Sequence, residues 1–320
     1  MQLTAAASLL GSGLYLQFVE PDVVKAFAHL VLLGAVLGVV DILLFFKVDE
    51  PRVTKLPEAG LWEVFSGPFR HAGFRSFIGF TCFWHFAAMI GAPFISLYLL
   101  QYVGMSLFQV LLLWTCSWVG GAICSRWLGR IADHYGNRVL LILCIGLKSI
   151  NMLSLLLVPP SPDLALVILA PIFMIDMALN TGVAIANNGF LLKHSPAANR
   201  TMFIAAGTAI AGLVGGMTSI ACGAWLSSVS DWSMMIGSRS ITGFHVLFFA
   251  SLLARFVATV LVTRVQEPGG REMREVVQTL LGVGPLRVLR YPLGLYRRRW
   301  PGVEEAAEEC EQVERDAAAA

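Results

Sequence analysis

Long apolar runs separated by short polar breaks organise this chain. Eight runs stand out, at 2–18, 26–46, 76–100, 107–128, 139–158, 164–190, 201–228 and 242–263. Most approach or exceed the roughly 20 residues that cross the hydrocarbon core of a bilayer. In lipid every backbone N–H and C=O must be satisfied within the segment, so runs of this kind are predicted to be helices. The first run has no base before Lys25 and so lacks the charged start of a secretory leader.

The polar breaks alternate in charge. The stretch 47–75 carries Lys47, Arg52, Lys55, Arg70 and Arg75, whereas 101–106 carries no base. The next break carries Arg126, Arg130 and Arg138, and 159–163 again carries none. Lys193 and Arg200 follow, then only Arg239, then a tail with nine arginines after residue 263. Basic loops face the cytosol, so both termini and the 47–75 stretch are expected on that side of a cytoplasmic membrane.

Composition supports the same reading. Of 320 residues, 57% are hydrophobic and 14% charged, about half the charge of an ordinary soluble domain. Mean hydropathy is +0.71. A single soluble core of this length cannot bury so much apolar surface. The formal net charge of +2 gives no reason to expect a nucleic-acid partner. The fold class expected is an all-α polytopic membrane protein of about eight transmembrane helices.

Enzyme chemistry finds no foothold. Five of the six cysteines lie in apolar runs, Cys310 lies in the tail, and no two make a CxxC spacing. The histidines are scattered, and no HExxH, G-x-S-x-G or Walker sequence occurs. No metal and no cofactor is expected.

The break after the fourth run reads G-R-I-A-D-H-Y-G-N-R, Gly129 to Arg138. Gly129 and Gly136 permit a tight turn, Asp133 can sit against a helix N-terminus, and Arg130 and Arg138 can pair with carboxylates or headgroups. Such contacts make a breakable latch between helix bundles. The pattern G-x-x-x-D-x-x-G-x-R resembles the signature loop of the major facilitator superfamily, with His134 and Asn137 replacing usual basic positions. The K-H-S-P-A-A-N-R segment ending at Arg200 is similar to that family's connection between spans 10 and 11.

This resemblance implies two six-helix halves related by a cytosolic linker. It places 1–46 as the last two helices of the N-terminal half, 47–75 as the linker, 76–263 as the C-terminal six-helix bundle and 264–320 as a cytosolic tail. Four helices of the family pattern would then be missing, through a shortened copy or a path completed by a partner chain. The resemblance also implies that Asp133 faces the start of the family's fifth span, here Met1 to Ala5. The tail carries a short amphipathic segment around Met273–Leu281, then Arg287 to Trp300 with bases and aromatics interleaved, then an acidic, alanine-rich end. It reads as a solvated extension or a membrane-lying regulatory arm.

Polar side chains at depth are costly and mark function or helix contacts. Asp176, Asn180 and Asn187 fall within roughly 40° of one another on a helix. His85 lies mid-run, with Thr81 and Ser96 on its face. The resemblance makes both runs cavity-lining, so these residues are candidates for a solute or proton path. Lys148 lies about 15 Å past Arg138 and reaches a depth similar to that of Asp176. A pair between them is one arrangement; a bond from Lys148 to neighbours such as Asn151 is another. Arg255 and Asp41 are expected to snorkel or pair near the cytosolic ends. Pro93 and Pro171 are candidate kinks, and Gly212-x-x-x-Gly216 a candidate close-packing face.

The function implied is secondary active transport of a small solute by alternating access, with protons as a candidate coupling ion. The alternative is a membrane scaffold or sensor derived from a transporter.

Overall fold

A computed structural model of the chain describes residues 2–19, 22–47, 72–159, 161–195, 200–230, 232–236 and 239–265. Its helices are α1 (Gln2–Phe18), α2 (Val23–Phe45), α3 (Ala72–Met89), α4 (Ile95–Gln101), α5 (Leu107–Tyr135), α6 (Asn137–Leu157), α7 (Pro162–His194), α8 (Arg200–Ser228) and α9 (Gly243–Val262). The all-α membrane architecture is as expected. Among the described residues seven helical stretches are long and apolar enough to cross a membrane, α3 and α4 counting as one. The expected eighth, α1, is helical but only 17 residues long.

Local chemistry sets the helix ends. Asp22 caps α2 by accepting from the Val24 and Lys25 amides. Ser106 and Gln109 form a reciprocal capping box at the start of α5. Gln109 also donates to Asp163 at 2.9 Å, tying the starts of α5 and α7 together. Pro162 occupies the first turn of α7, where its missing N–H costs nothing. Pro93 acts as expected: α3 stops at Met89, and a 3₁₀ turn at Ala92–Phe94 leads into α4. Pro171 does not interrupt α7, which runs on for 33 residues.

Seven of the helices follow one another in a chain of contacts, α1 on α5, α5 on α7, α7 on α6, α6 on α9, α9 on α3, and α3 on α8, while α2 rests on α1 and α4 on α5. The main core gathers Tyr98, Leu113, Met152, Phe173 and Phe248 from α4, α5, α6, α7 and α9. Glycine brings α5 and α7 into close approach, since a Cβ on Gly120 would overlap the Met174 backbone. Helix α2 leaves most of its apolar side chains exposed, which suits a lipid solvent.

Several expectations change. The 129–138 segment is not a loop, because α5 continues to Tyr135. Gly136 alone leaves the helical region, at φ +96°, where a side chain would be strained. The break between the last two apolar runs, which carries only Arg239, contains a hairpin that pairs β1 (Ser233–Ile236) with β2 (Arg239–Thr242). Tyr102 holds it by donating to the Ser240 carbonyl at 2.7 Å. Among the described residues a Cβ on Gly212 or Gly216 would meet open space, and packing falls instead on Gly207 and Gly215, which face α3. Gln2 lies beside Gly121 and donates to Thr181 at 2.7 Å. That is roughly 18 Å along α5 from Asp133, so the start of α1 does not face Asp133. Most of the expected linker, residues 196–199 of the K-H-S-P-A-A-N-R segment, and the tail beyond 265 lie outside the described residues.

Candidate functional site

Polar side chains gather at two places along α7. At the first, Lys148 Nζ donates to Asp176 Oδ2 at 2.9 Å and to the Asp176 carbonyl at 3.3 Å. The two side chains are 8% and 18% exposed, so this is an ion pair drawn largely out of solvent between α6 and α7. Asp176 Oδ1 is buried without a hydrogen-bond partner, as is Asn151 Oδ1 one turn from Lys148. Lys148 therefore takes the acidic partner rather than Asn151.

Arg255 joins this cluster from α9. It is 2% exposed and donates to the Lys148 carbonyl at 3.2 Å and to Ser251 Oγ at 3.3 Å. Ser251 in turn donates to the Ala87 carbonyl of α3 at 2.8 Å, and the guanidinium lies 5.8 Å from the Trp84 ring centroid. Of the two outcomes expected for Arg255, snorkelling or pairing near the cytosolic end, it does not snorkel: it turns inward to these partners. Its position lies about 10 Å inside the end of α9, and three inward partners replace the water it gives up. Asp41, by contrast, is exposed on α2. The cluster stitches α7, α6, α9 and α3. Ser251 and Trp84 were missed in the sequence because neither stands out in an apolar helix.

The second place is a cavity of about 180 Å³ between α3, α7 and α8. His85, Thr81, Asn187, Asn188 and Thr208 supply its polar lining, and Phe77 an aromatic wall. The His85 ring donates from Nδ1 to the Thr81 carbonyl at 2.9 Å. A carbonyl can only accept, so Nδ1 carries a proton, and the tautomer this selects has its acceptor lone pair on Nε2. Asn187 Oδ1 is buried without a partner. Ser96 is not part of this group, because Trp114 Nε1 donates to it at 3.0 Å.

The predicted polar face of α7 is therefore divided. Asp176 turns to Lys148, Asn187 lines the cavity with His85, and Asn180 between them is exposed, its amide 3.9 Å from Met177 Sδ. A larger cavity of about 400 Å³ lies near the hairpin, walled by Phe94, Tyr102 and Phe244. It holds none of the predicted polar residues, so volume alone does not mark the functional place.

At the 129–138 end, Arg138 donates to the Thr263 carbonyl just past α9. A cation there complements the carbonyl end of the helix. Asp133 is exposed in the last turn of α5, and among the described residues neither it nor Arg130 forms an ion pair. Gly129 lies inside the helix with open space around it.

The family model described as Major Facilitator Superfamily matches residues 3–219, which include α3, the Lys148–Asp176 pair, the His85–Asn187 cavity and the Gly129–Arg138 segment, but not Ser251 and Arg255. The chain belongs to the major facilitator superfamily. No curated protein and no solved structure matches it. This major facilitator protein is an integral, multi-pass membrane protein of the transporter kind, and transporters of that family move small solutes across membranes. Members of the superfamily are transporters rather than enzymes.

Proposed function

We propose that this chain is a secondary active transporter working by alternating access in the cytoplasmic membrane, with its termini in the cytosol and protons as the driving ion. The Lys148–Asp176 pair carries the reading. Protonating Asp176 removes the countercharge of a buried ammonium, and a buried charge left alone is strongly unfavourable. Proton loading must therefore be accompanied by rearrangement between α6 and α7, which is what coupling requires. His85 and Asn187 meet the solute, and exposed Asn180 lies on the route between the two polar places. Gly129, Arg130, Asp133, Gly136 and Arg138 form the latch, with Arg138 releasing Thr263 as the helices rock.

The test is solute uptake in proteoliposomes under an imposed pH gradient. Accumulation should follow the gradient, and Asp176→Asn should abolish accumulation while leaving downhill exchange. Solute movement indifferent to the gradient would remove the proton from the scheme. Absence of movement of any solute would favour the scaffold or sensor reading.

A further inference from the structure

The lining of the His85–Asn187 cavity has a chemical bias. Thr81 donates its hydroxyl proton to the Phe77 carbonyl at 2.9 Å, and Thr208 donates its own to the Ile204 carbonyl at 2.9 Å. His85 commits Nδ1–H to the Thr81 carbonyl. Three of the five polar side chains have thus spent their protons on their own helices. What they retain is acceptor capacity: two hydroxyl oxygens and Nε2. Asn187 adds a carboxamide oxygen that no donor reaches. Only the amide NH₂ groups of Asn187 and Asn188 can donate.

Among the described residues no lysine, arginine, aspartate or glutamate lines this cavity. An anion needs charge-assisted donors. Arg75 and Lys193 stand two residues from the lining residues Phe77 and Leu191, but both are exposed and neither lines the cavity; deeper in the bundle, Lys148 and Arg255 are occupied by Asp176, by the Lys148 carbonyl and by Ser251. Phe77, stacked on Phe190 with ring centroids 5.0 Å apart, supplies an apolar wall. The volume falls below the roughly 300–1,000 Å³ of pockets for drug-sized ligands, so the occupant is small.

We infer that this cavity takes a small, non-anionic solute rich in hydrogen-bond donors, carrying hydroxyl or amine groups, and discriminates against carboxylates and phosphates. The inference rests on the reading that His85 and Asn187 meet the transported solute.

Equilibrium binding to the full chain in detergent tests it, with myo-inositol as the hydroxyl probe, ethanolamine as the amine probe, and malonate and inorganic phosphate as anionic probes. At least one donor probe should bind at millimolar concentration, and the anions should not. Thr81→Val with Thr208→Val removes two acceptors at nearly constant volume and should weaken binding about tenfold or more. The Ser pair at the same positions should keep it. Should the Val pair fail to fold, His85→Phe provides the second arm, with a similar expected loss. Anion binding lost on His85→Phe would overturn the solute class while sparing the site. Donor-probe binding unchanged by every one of these substitutions would overturn the site itself, and the inference with it. Failure of both donor probes to bind also overturns the inference.

Discussion

The two polar places on α7 are about 16 Å apart on one helix, yet they are built in opposite ways. Around Asp176 the polar atoms are drawn into contact, with Lys148 at 2.9 Å and Arg255 and Ser251 behind it. Around Asn187 the polar atoms surround a hollow, and their protons point back into their own helices. The difference is one of partner supply. Helix α6 brings a lysine to the depth of Asp176, and α9 adds an arginine. Helices α3 and α8 bring threonines and a histidine, each able to satisfy itself on a carbonyl one turn away. A closed, charged cluster transmits a change of protonation as a force between helices. An open, self-satisfied lining leaves acceptors free for something that enters.

The contrast can be broken most severely at the ion pair. Asp176→Asn and Lys148→Ala should each cost about 3–5 kcal/mol by leaving one buried charge alone, and each should lower membrane yield. The double variant should recover much of that loss. Additive losses in the double variant, measured as folded yield by size-exclusion chromatography, would dissolve the pair as a unit.

A smaller effect probes the closeness of helices on the closed side. A Cβ on Gly182 of α7 would overlap Cys144 Sγ of α6. Gly182→Ala should therefore cost about 1–3 kcal/mol through overpacking, and Cys144→Ala in the same chain should relieve it. Thermal unfolding in detergent measures both, and a neutral Gly182→Ala would show that α6 and α7 are looser than described.

The smallest effect is expected on the open side. Asn187→Leu removes a buried acceptor that has no donor, so stability should change by less than about 1 kcal/mol and in either direction. Solute movement should nevertheless fall sharply. A large loss of thermal stability in this variant would place Asn187 among the structural residues and erase the contrast with Asp176.

Several elements were readable before any coordinates. The length of the apolar runs placed the helices near their observed spans, and of the two glycines expected to permit a turn between α5 and α6 only Gly136 does so, Gly129 lying inside α5. Counting residues from the helix ends put Lys148 and Asp176 at a common depth. Counting could not say which way either side chain faces, because rotation about a helix axis is decided by packing against neighbours, here by contacts such as Gly120 on Met174 and Gly182 on Cys144. The same limit explains Arg255. Its distance from the end of α9 suggested an outward reach, but Trp84 and the Lys148 carbonyl lie inward. Ser96 belonged to the His85 face by spacing alone, yet Trp114 claims it from α5.

The amino-acid order by itself determined the solvent, the helices and their approximate lengths, because backbone hydrogen bonding in lipid admits few alternatives for long apolar runs. It also determined which polar groups are carried to depth. Only the tertiary structure decided which of them meet, which satisfy themselves and which line a hollow. Those outcomes depend on side-chain contacts between helices far apart in the chain, and hydropathy carries no record of such contacts.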